Sequence, residues 1–266
     1  MKLSISNIAW PVEYDEEMYR FINMNHFRGL EIAPTRIFPD SPYDHLYQGK
    51  VFSQELKEKY DLEISSVQSI WYGISESVFG SDAKRQKLVD YTKKAIDFAC
   101  EISCPNLVFG CPKNRAIPPD MTLDNGLPVI YDFFNQIGDY AASRGTCIAI
   151  EPNPPIYNTN FINTTKEAVE ICRALNNSGI RINADMGTLI YNNESLEILT
   201  DNINLINHIH ISEPRLIPIE NRTLHSELKT ELQNLNYDKY ISIEMANPGN
   251  IDLVKTVIAY IKEIFI

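Results

Sequence analysis

Four side chains of the kinds that bind metal ions stand at nearly even intervals in the second half of the chain. Each closes a short run rich in β-branched residues: CIAIE ends at Glu151, IRINAD at Asp185, NLINHIH at His210 and YISIE at Glu244. The gaps between them are 34, 25 and 34 residues. A strand and its return helix in an eight-fold barrel take roughly 31 residues. The spacing therefore predicts that the four residues end four successive strands and converge on one point.

Three carboxylates and one imidazole at one point would repel one another, and a divalent cation is the simplest species that makes the arrangement tolerable. Oxygen and nitrogen ligands without a thiolate favour Mn²⁺ or Mg²⁺, with Co²⁺ or Zn²⁺ as alternatives. Such an ion polarises a carbonyl and stabilises the enediolate left when the neighbouring proton departs. We predict Glu151, Asp185, His210 and Glu244 as metal ligands, with Glu151 and Glu244 also acting as an acid/base pair.

Other readings of single residues stay open. One acid at a strand end is often a helix N-cap or an ion-pair partner. His208 shares a strand face with His210 but lies one pleat deeper, so we expect a packed, hydrogen-bonded histidine. His26, His45 and His225 fall in helical or loop stretches, and we expect them at the surface.

The whole chain alternates short apolar runs with helical stretches. The runs that read as strands are Leu3–Ala9, Gly29–Ala33, Leu62–Gln68, Asn106–Phe109, Thr146–Glu151, Ile180–Asp185, Ile206–His210 and Tyr240–Glu244. The stretches that read as helices are Asp15–Met24, Ser53–Lys59, Asp82–Glu101, Val129–Arg144, Thr165–Leu175, Ser195–Thr200, Leu224–Leu235 and Ile251–Glu263. This pattern predicts one α/β domain over residues 1–266, a (β/α)8 TIM barrel. An open doubly wound sheet is the competing fold. The glycine-rich phosphate turn that follows the first strand of a dinucleotide-binding sheet is missing here.

Active sites of such barrels use the loops at the carboxyl ends of the strands. These positions carry amide, hydroxyl, aromatic and charged groups, which suit the hydroxyls and C–H faces of a sugar. The predicted substrate-binding residues are Trp10, Glu31, Gln68, Trp71, Lys113, Arg115, Asn153, Tyr157, Thr188, Glu213 and Arg215. Trp71 fits the core and a substrate wall equally well. Lys113 or Arg115 fits an anionic substrate group as well as a solvated loop.

Composition limits the partners and the compartment. A net charge of −11 and a pI near 5.0 oppose binding to nucleic-acid backbones. No stretch approaches the roughly 18 unbroken apolar residues of a membrane span, and MKLSISNIAW does not resemble a secretory signal. The five cysteines suit reduced thiols, since Cys100 and Cys104 have no second pair with zinc-ligand spacing. We expect a cytoplasmic protein that binds neither nucleic acid nor membranes.

Five segments carry a resemblance to the xylose isomerase-like TIM-barrel superfamily, in its sugar phosphate isomerase/epimerase branch. They are GLEIAP at Gly29–Pro34, IEPNP around Glu151, NADMGT around Asp185, HIHISEP at His208–Pro214 and LNYDKYISIEM ending at Met245. The resemblance covers essentially the whole length. It implies that Glu151, Asp185, His210 and Glu244 are the metal ligands, and that Glu151 and Glu244 are the acid/base pair of a ketose epimerase.

The resemblance leaves the substrate open. Epimerases of this kind usually have a histidine where this chain has Thr188 and an arginine where it has Leu216, so their substrates do not carry over. We expect a metal-dependent isomerase or epimerase of a small sugar, sugar acid or sugar phosphate. The alternatives are an inosose-dehydratase-like lyase and a non-catalytic sugar-binding barrel. Relatives imply a homodimer or homotetramer, with the apolar tail Ile261–Ile266 closing the barrel or packing on a partner.

Overall fold

A computed structural model describes residues 1–266 and shows eight parallel strands closed into one barrel, each paired with its neighbours in chain order. The strands are β1 Lys2–Ser6, β2 Gly29–Ile32, β3 Glu63–Val67, β4 Leu107–Phe109, β5 Ile148–Ile150, β6 Ile180–Asp185, β7 Ile206–Ile211 and β8 Tyr240–Ile243. β8 pairs with β1 from Lys2 to Ile5, which closes the ring. The predicted single (β/α)8 barrel is confirmed.

Helices surround the barrel and bury its outer face. They are α1 Asp15–Met24, α2 Pro34–Ile37, α3 Leu46–Tyr60, α4 Asp82–Glu101, α5 Leu123–Ser143, α6 Thr165–Leu175, α7 Met186–Asn192, α8 Glu197–Thr200, α9 Thr223–Asn234 and α10 Ile251–Phe265. The apolar tail packs inward as the last turn of α10, where Ile261 and Phe265 are buried. No helix is long and apolar enough to cross a membrane.

The main differences from the sequence prediction concern α3, α5 and α7, and the short α2 was also not predicted. α3 begins at Leu46 rather than Ser53, and its first turns were missed because they contain Gly49, a poor helix former. A Cβ at that position would stand 2.6 Å from the ring of Phe98, so close packing against α4 requires glycine. α5 begins at Leu123, capped by Thr122, although Pro128 lies inside it. α7 was not predicted, although the sequence analysis left open that an acid at a strand end caps a helix.

The strand ends also differ in small ways. Leu3–Ala9 was expected as one strand, but Asn7–Ala9 forms a 3-10 turn that carries the chain out over the rim. The runs around β3, β4, β5 and β8 are each shorter than predicted. Glu151 and Glu244 therefore stand in the first position after β5 and β8, where their backbone N–H groups still donate to Phe109 and Ile211 of the neighbouring strands.

The inside of the barrel is polar, unlike the branched apolar filling that is usual in this fold. The Ser4 and Ser65 hydroxyls bond at 2.6 Å between β1 and β3, and the Gln68 amide donates to Ser6. Because these pairs skip the intervening strand, their side chains must meet in the interior. Small and polar side chains in the lower layers leave room for buried carboxylates and imidazoles above them.

Candidate metal centre

The structure brings the four expected metal-type side chains together. One ligand atom from each of Glu151, Asp185, His210 and Glu244 lies within 4.8 Å of the other three, and all four residues are buried. His210 is central: its Nδ1 is 2.9 Å from Glu151 Oε1 and 3.1 Å from Glu244 Oε2. The four positions follow or end β5, β6, β7 and β8, so the parallel strands converge their side chains on one rim.

Asp185 is held in place by groups of its own rim. Its Oδ2 accepts from the backbone N–H and the hydroxyl of Thr188, both at 2.8 Å, and its Oδ1 accepts from the Ser212 hydroxyl. The first of these bonds makes Asp185 the N-cap of α7. Asp185 therefore caps a helix, and this role is compatible with the predicted metal ligand because the cap fixes the carboxylate beside the other three groups.

The two glutamates have different surroundings. Both oxygens of Glu151 accept from amides: Oε1 from Asn183 Nδ2 at 2.8 Å and Oε2 from Asn153 Nδ2 at 3.0 Å. No amide or hydroxyl donates to Glu244, whose only close polar neighbour is His210. Glu151 is therefore fixed by two neutral donors, whereas Glu244 is restrained through the imidazole alone.

Beneath the cluster, a second carboxylate orients the imidazole. His210 Nε2 donates to Glu31 Oε2 at 2.9 Å, and His208 Nε2 is 3.2 Å from the same oxygen. All three residues are almost completely buried. A carboxylate on the far nitrogen of a ligating histidine fixes its tautomer and ring orientation, which leaves Nδ1 facing the cluster.

The electrostatics of the cluster follow from burial. Burial raises the pKa of Glu244 to about 7, and burial together with Glu151 raises the pKa of Asp185 to about 6. Burial opposes a charge on His210, but Glu31 and Glu244 outweigh it and hold its pKa well above the ordinary value. Protons on these groups thus relieve the repulsion in the ion-free cluster, and a divalent cation would take their place.

The donor set fits such a cation. Ligands at right angles around an ion with bonds of about 2.1 Å lie about 3 Å apart, which matches the separations of 2.9 and 3.1 Å at His210 Nδ1. Three carboxylates and an imidazole, without sulfur, are ligands for Mn²⁺, Mg²⁺, Co²⁺ or Zn²⁺ rather than a structural zinc site of cysteines. The residues present could hold a divalent ion, and the donor set does not distinguish among these four.

A cavity of about 190 Å³ opens above the cluster. Glu151, Asp185 and Glu244 form its floor. The other lining residues are Gln68, Ser69, Val108, Gly110, Cys111, Pro112, Asn153, Tyr157 and Leu216. No lysine, arginine or histidine is among them, so the cavity combines amides and hydroxyls with three carboxylates. Gln68, Asn153 and Tyr157 were predicted as substrate-binding residues, and the structure places all three at the cavity wall.

Four predicted substrate contacts lie away from the cavity, buried with partners of their own. Trp10 Nε1 donates to Asp15 Oδ1 at 2.8 Å, and Glu31 bonds to His210 below the cluster. Trp71 is in the core, where its Nε1 donates to Thr92 and its ring packs edge-on against Phe109. Thr188 is buried against Asp185. The structure therefore places these four side chains outside the cavity lining, and their contact with a substrate stays a prediction.

The charged residues predicted to meet substrate are also elsewhere. Glu213 is buried in an ion pair with Arg222, 2.6 Å between Oε2 and Nη2. Lys113 and Arg215 are exposed and do not line the cavity. His225, expected at the surface, is buried beside Tyr260 with Nδ1 2.9 Å from its hydroxyl. Its position on α9 faces α10, which sequence spacing alone did not resolve.

Arg115 is neither a solvated loop residue nor a cavity residue. It is fully buried, and its guanidinium donates to five backbone carbonyls and to Asn153 Oδ1. Burial lowers its pKa to about 10, which still leaves it charged at neutral pH. Its donors are directed at the protein, so we no longer assign it to an anionic group of a substrate.

Sequence reasoning missed two residues that contact side chains of the cluster. Asn183 donates to Glu151 and lies 3.1 Å from His210 Nδ1, and Ser212 donates to Asp185. Asn183 lies two positions before Asp185 on β6, and Ser212 lies two positions after His210, just beyond the end of β7. Because alternate residues of a strand share a face, this spacing was the available signal.

Tyr157 was predicted, but the way in which it is held was not. Its hydroxyl accepts from the backbone N–H of Arg215 at 2.7 Å, and burial beside Asp185 raises its pKa to about 12. Arg215 and Leu216 both have left-handed φ angles, 67° and 56°. This strained turn after β7 brings Leu216 into the cavity wall, and the bond to Tyr157 helps to hold it there.

Comparisons with solved structures find the same architecture. A 3-keto-D-glucoside 4-epimerase from E. coli superposes with a TM-score of 0.81 at 19% identity, over 99% of both chains. D-Psicose 3-epimerase from Clostridium cellulolyticum H10 gives 0.79 at 13%, over 100% of this chain and 99% of that one. A probable 3-DHS dehydratase from Bacillus anthracis gives 0.73 at 16%, over 97% and 98%. At these identities the likeness shows the fold.

No curated protein matches the sequence significantly. A family-level sequence profile described as "Xylose isomerase-like TIM barrel" matches residues 24–264. That range includes all four residues of the cluster and every strand except β1. The chain therefore belongs to the xylose isomerase-like TIM-barrel family.

Proposed function

We propose that the protein is a divalent-metal-dependent isomerase or epimerase of a small keto-sugar, which moves a proton at the carbon next to a carbonyl. The observation that carries the proposal is the buried cluster of Glu151, Asp185, His210 and Glu244 at the floor of a polar cavity. Two of the similar structures are named as sugar epimerases. We propose Mn²⁺ or Mg²⁺ as the ion.

Glu151 and Glu244 would be both ligands and proton carriers. They follow β5 and β8, line the same cavity and approach His210 Nδ1 from different strands. One carboxylate would take the proton from the carbon, and the other would return a proton from the opposite face. A bound divalent cation would stabilise the negative charge that develops on the substrate oxygens. Asp185 and His210 would hold the centre without taking part in proton transfer.

The cavity favours an uncharged substrate. Its wall offers amide and hydroxyl groups from Gln68, Ser69, Asn153 and Tyr157, and its floor carries three carboxylates. A phosphate or carboxylate there would meet negative charge without a basic side chain to pair with it. A volume of about 190 Å³ is suited to one monosaccharide unit. Among the predicted substrates, the structure therefore favours the free sugar over the sugar acid or sugar phosphate.

The test is proton exchange. The protein loaded with Mn²⁺ is incubated in D₂O with a panel of free ketoses and their phosphates, and each sugar is followed by NMR. We expect deuterium at the carbon next to the carbonyl of a free ketose, together with its epimer or aldose. Glu151→Gln and Glu244→Gln should each abolish formation of the epimer, because epimerisation needs a proton carrier on each face of the carbon. Tight binding of a sugar without any exchange would instead show a sugar-binding barrel.

A dehydratase is the second candidate, because Tyr157 offers a proton donor inside the cavity. Its phenol keeps its proton at neutral pH, given a pKa of about 12. It could protonate a departing hydroxyl after the same proton abstraction. One similar structure is named as a probable dehydratase. Loss of water from a keto-polyol would produce a conjugated enone with new ultraviolet absorbance, which isomerisation does not.

A homodimer or homotetramer in the cytoplasm stays a prediction.

A further inference from the structure

Arg115 is a buried cation that the proposed chemistry does not use. It has no exposed surface, and no carboxylate lies within ion-pair distance of it. The backbone carbonyls that accept from it belong to Phe109, Gly110, Glu151, Phe161 and Ile162. Burying an unpaired guanidinium is costly, so a residue that only filled space here would be apolar. The geometry of its donors is the feature to explain.

The guanidinium joins three segments of the rim. Its Nη1 reaches the end of β4 at Gly110 O, 2.6 Å, and the end of β5 at Glu151 O, 2.9 Å. Its Nε and Nη2 reach the Phe161–Ile162 segment at 3.2 and 3.1 Å. A planar, rigid fork of donors can satisfy carbonyls on three segments at once, whereas a lysine ammonium cannot.

The sixth contact determines which way an amide points. Nη2 donates to Asn153 Oδ1 at 3.1 Å, so the opposite end of that amide, Nδ2, must face Glu151 Oε2, 3.0 Å away. A reversed amide would place two donors against each other at Arg115 and two acceptors against each other at Glu151. The buried cation therefore fixes the polarity of a donor to the glutamate.

The same carboxylate oxygen is also confined by the backbone. Gly110 lies against Glu151 Oε2, and a Cβ there would stand 2.8 Å from it. With Asn183 on Oε1, the carboxylate is confined to one orientation. We infer that Arg115 is a positioning residue that acts through Asn153 to hold Glu151 for metal binding and proton transfer. This inference rests on the proposed role of Glu151.

The test is a double-mutant cycle with Arg115→Lys, Asn153→Ala and the double variant. Mn²⁺ affinity is measured by calorimetry without sugar, and kcat and KM of deuterium exchange are measured with the best substrate. Loss of an outer partner of a ligand costs about 10- to 100-fold in affinity or activity. We expect each single variant to weaken Mn²⁺ binding about tenfold. We also expect Arg115→Lys, at a residue that does not line the cavity, to lower kcat with little change in KM. The double variant should be no weaker than the weaker single variant.

Fully additive losses would overturn the inference, because independent sites add and a relay does not. If Arg115→Lys does not fold, Asn153→Leu takes its place, because Asn153→Leu keeps the side-chain volume and leaves all five carbonyl contacts of Arg115 intact. Wild-type Mn²⁺ affinity in Asn153→Leu would also overturn it. Arg181→Lys is the matched control: Arg181 donates to the carbonyls of Asn177 and Ile180 at the far end of β6, and we expect unchanged affinity. The affinity arm needs no sugar, so it stands even if the proposed reaction fails.

Discussion

The two sides of the candidate site, at β5 and at β8, hold the same side chain in different ways. Glu151 after β5 receives two amide donors, and a buried arginine lies behind one of them. Glu244 after β8 receives neither, and burial raises its pKa to about 7. The difference indicates that two glutamates of one cluster need not have the same role. The β5 side is built for a carboxylate of fixed position, and the β8 side for a carboxyl group that changes its charge near neutral pH.

Replacing either glutamate by glutamine should have the largest effect. A positioned acid or base contributes about 100- to 10,000-fold, so Glu151→Gln and Glu244→Gln should each slow formation of the epimer by at least about 100-fold. Glutamine keeps the size of the side chain but removes the proton-carrying group. Rates of epimer formation measured by NMR in D₂O at saturating Mn²⁺ check the prediction. Equal, unimpaired turnover in both variants would remove the acid/base assignment on both sides.

The stability of the ion-free protein should fall as pH rises, because the β8 side retains a proton in the folded state. The folded-state pKa values of Glu244 and Asp185, about 7 and about 6, exceed the usual carboxyl values. The folded state then binds more protons than the unfolded state between about pH 4 and pH 7. His210, with a raised pKa, contributes stability that is lost as pH rises further. We expect these three groups to lower the free energy of unfolding by on the order of 2 kcal/mol from pH 5 to pH 8, offset below about pH 6.5 by His208 and His225, whose lowered pKa values act in the opposite direction.

Urea denaturation in the presence of EDTA measures this slope. Glu244→Gln should flatten it, because glutamine carries no ionisable proton. Saturating Mn²⁺ should reverse it, since metal binding requires the deprotonated ligands and becomes stronger as pH rises. A pH slope in Glu244→Gln equal to that of the wild-type protein would contradict the pKa assignments on the β8 side.

Removing the Asn183 amide should loosen the carboxylate of Glu151 on the β5 side. Asn183→Ala deletes the donor at Glu151 Oε1 and should weaken Mn²⁺ binding about tenfold. Calorimetry gives the affinity directly. Asn207→Ala is a suitable control, because Asn207 donates to Asn106 at the other end of the barrel. Unchanged affinity in Asn183→Ala would show that the β5 carboxylate does not depend on its amide neighbours.

The smallest effect is expected at Leu216, which lines the same cavity as both glutamates. Leu216→Arg adds the only basic side chain to the cavity wall. We expect a shift of a few-fold in kcat/KM from free towards phosphorylated sugars, because an arginine pairs with a phosphate. Kinetics with each pair of sugars measure the ratio. A preference for phosphorylated sugars in the wild-type protein would contradict the uncharged substrate proposed above.

The barrel and the cluster were predictable because both depend on period and spacing. Four metal-type side chains at unit spacing can converge only if the strands are parallel and neighbouring, so the cluster and the fold support each other. The N-cap at Asp185 shows the limit: one residue both ends a strand and starts α7, whereas the sequence analysis treated the cap and the ligand as alternative roles. Gly49 and Pro128 hid the first turns of α3 and α5, where packing overrides helix propensity.

Depth was the part that spacing could not supply. Trp10, Glu31 and Thr188 occupy the predicted rim, yet hydrogen bonds draw each of them below or beside the cavity. Arg115 is the clearest case, since a basic residue in a polar loop usually stays in water. It is buried because carbonyls from three distant segments meet at one place. That arrangement depends on tertiary structure and leaves no periodic trace in the sequence.

The central claim is that four side chains from four strands share one divalent ion. Mn²⁺ titration of the ion-free protein by calorimetry, with metal content checked by mass spectrometry, tests it most directly. We predict one equivalent of tightly bound Mn²⁺ at pH 7.5, lost in Asp185→Asn and in His210→Asn and retained in the distant variant His225→Asn. Absence of Mn²⁺, Mg²⁺, Co²⁺ and Zn²⁺ binding, or unchanged binding in the Asp185 and His210 variants, would contradict the account.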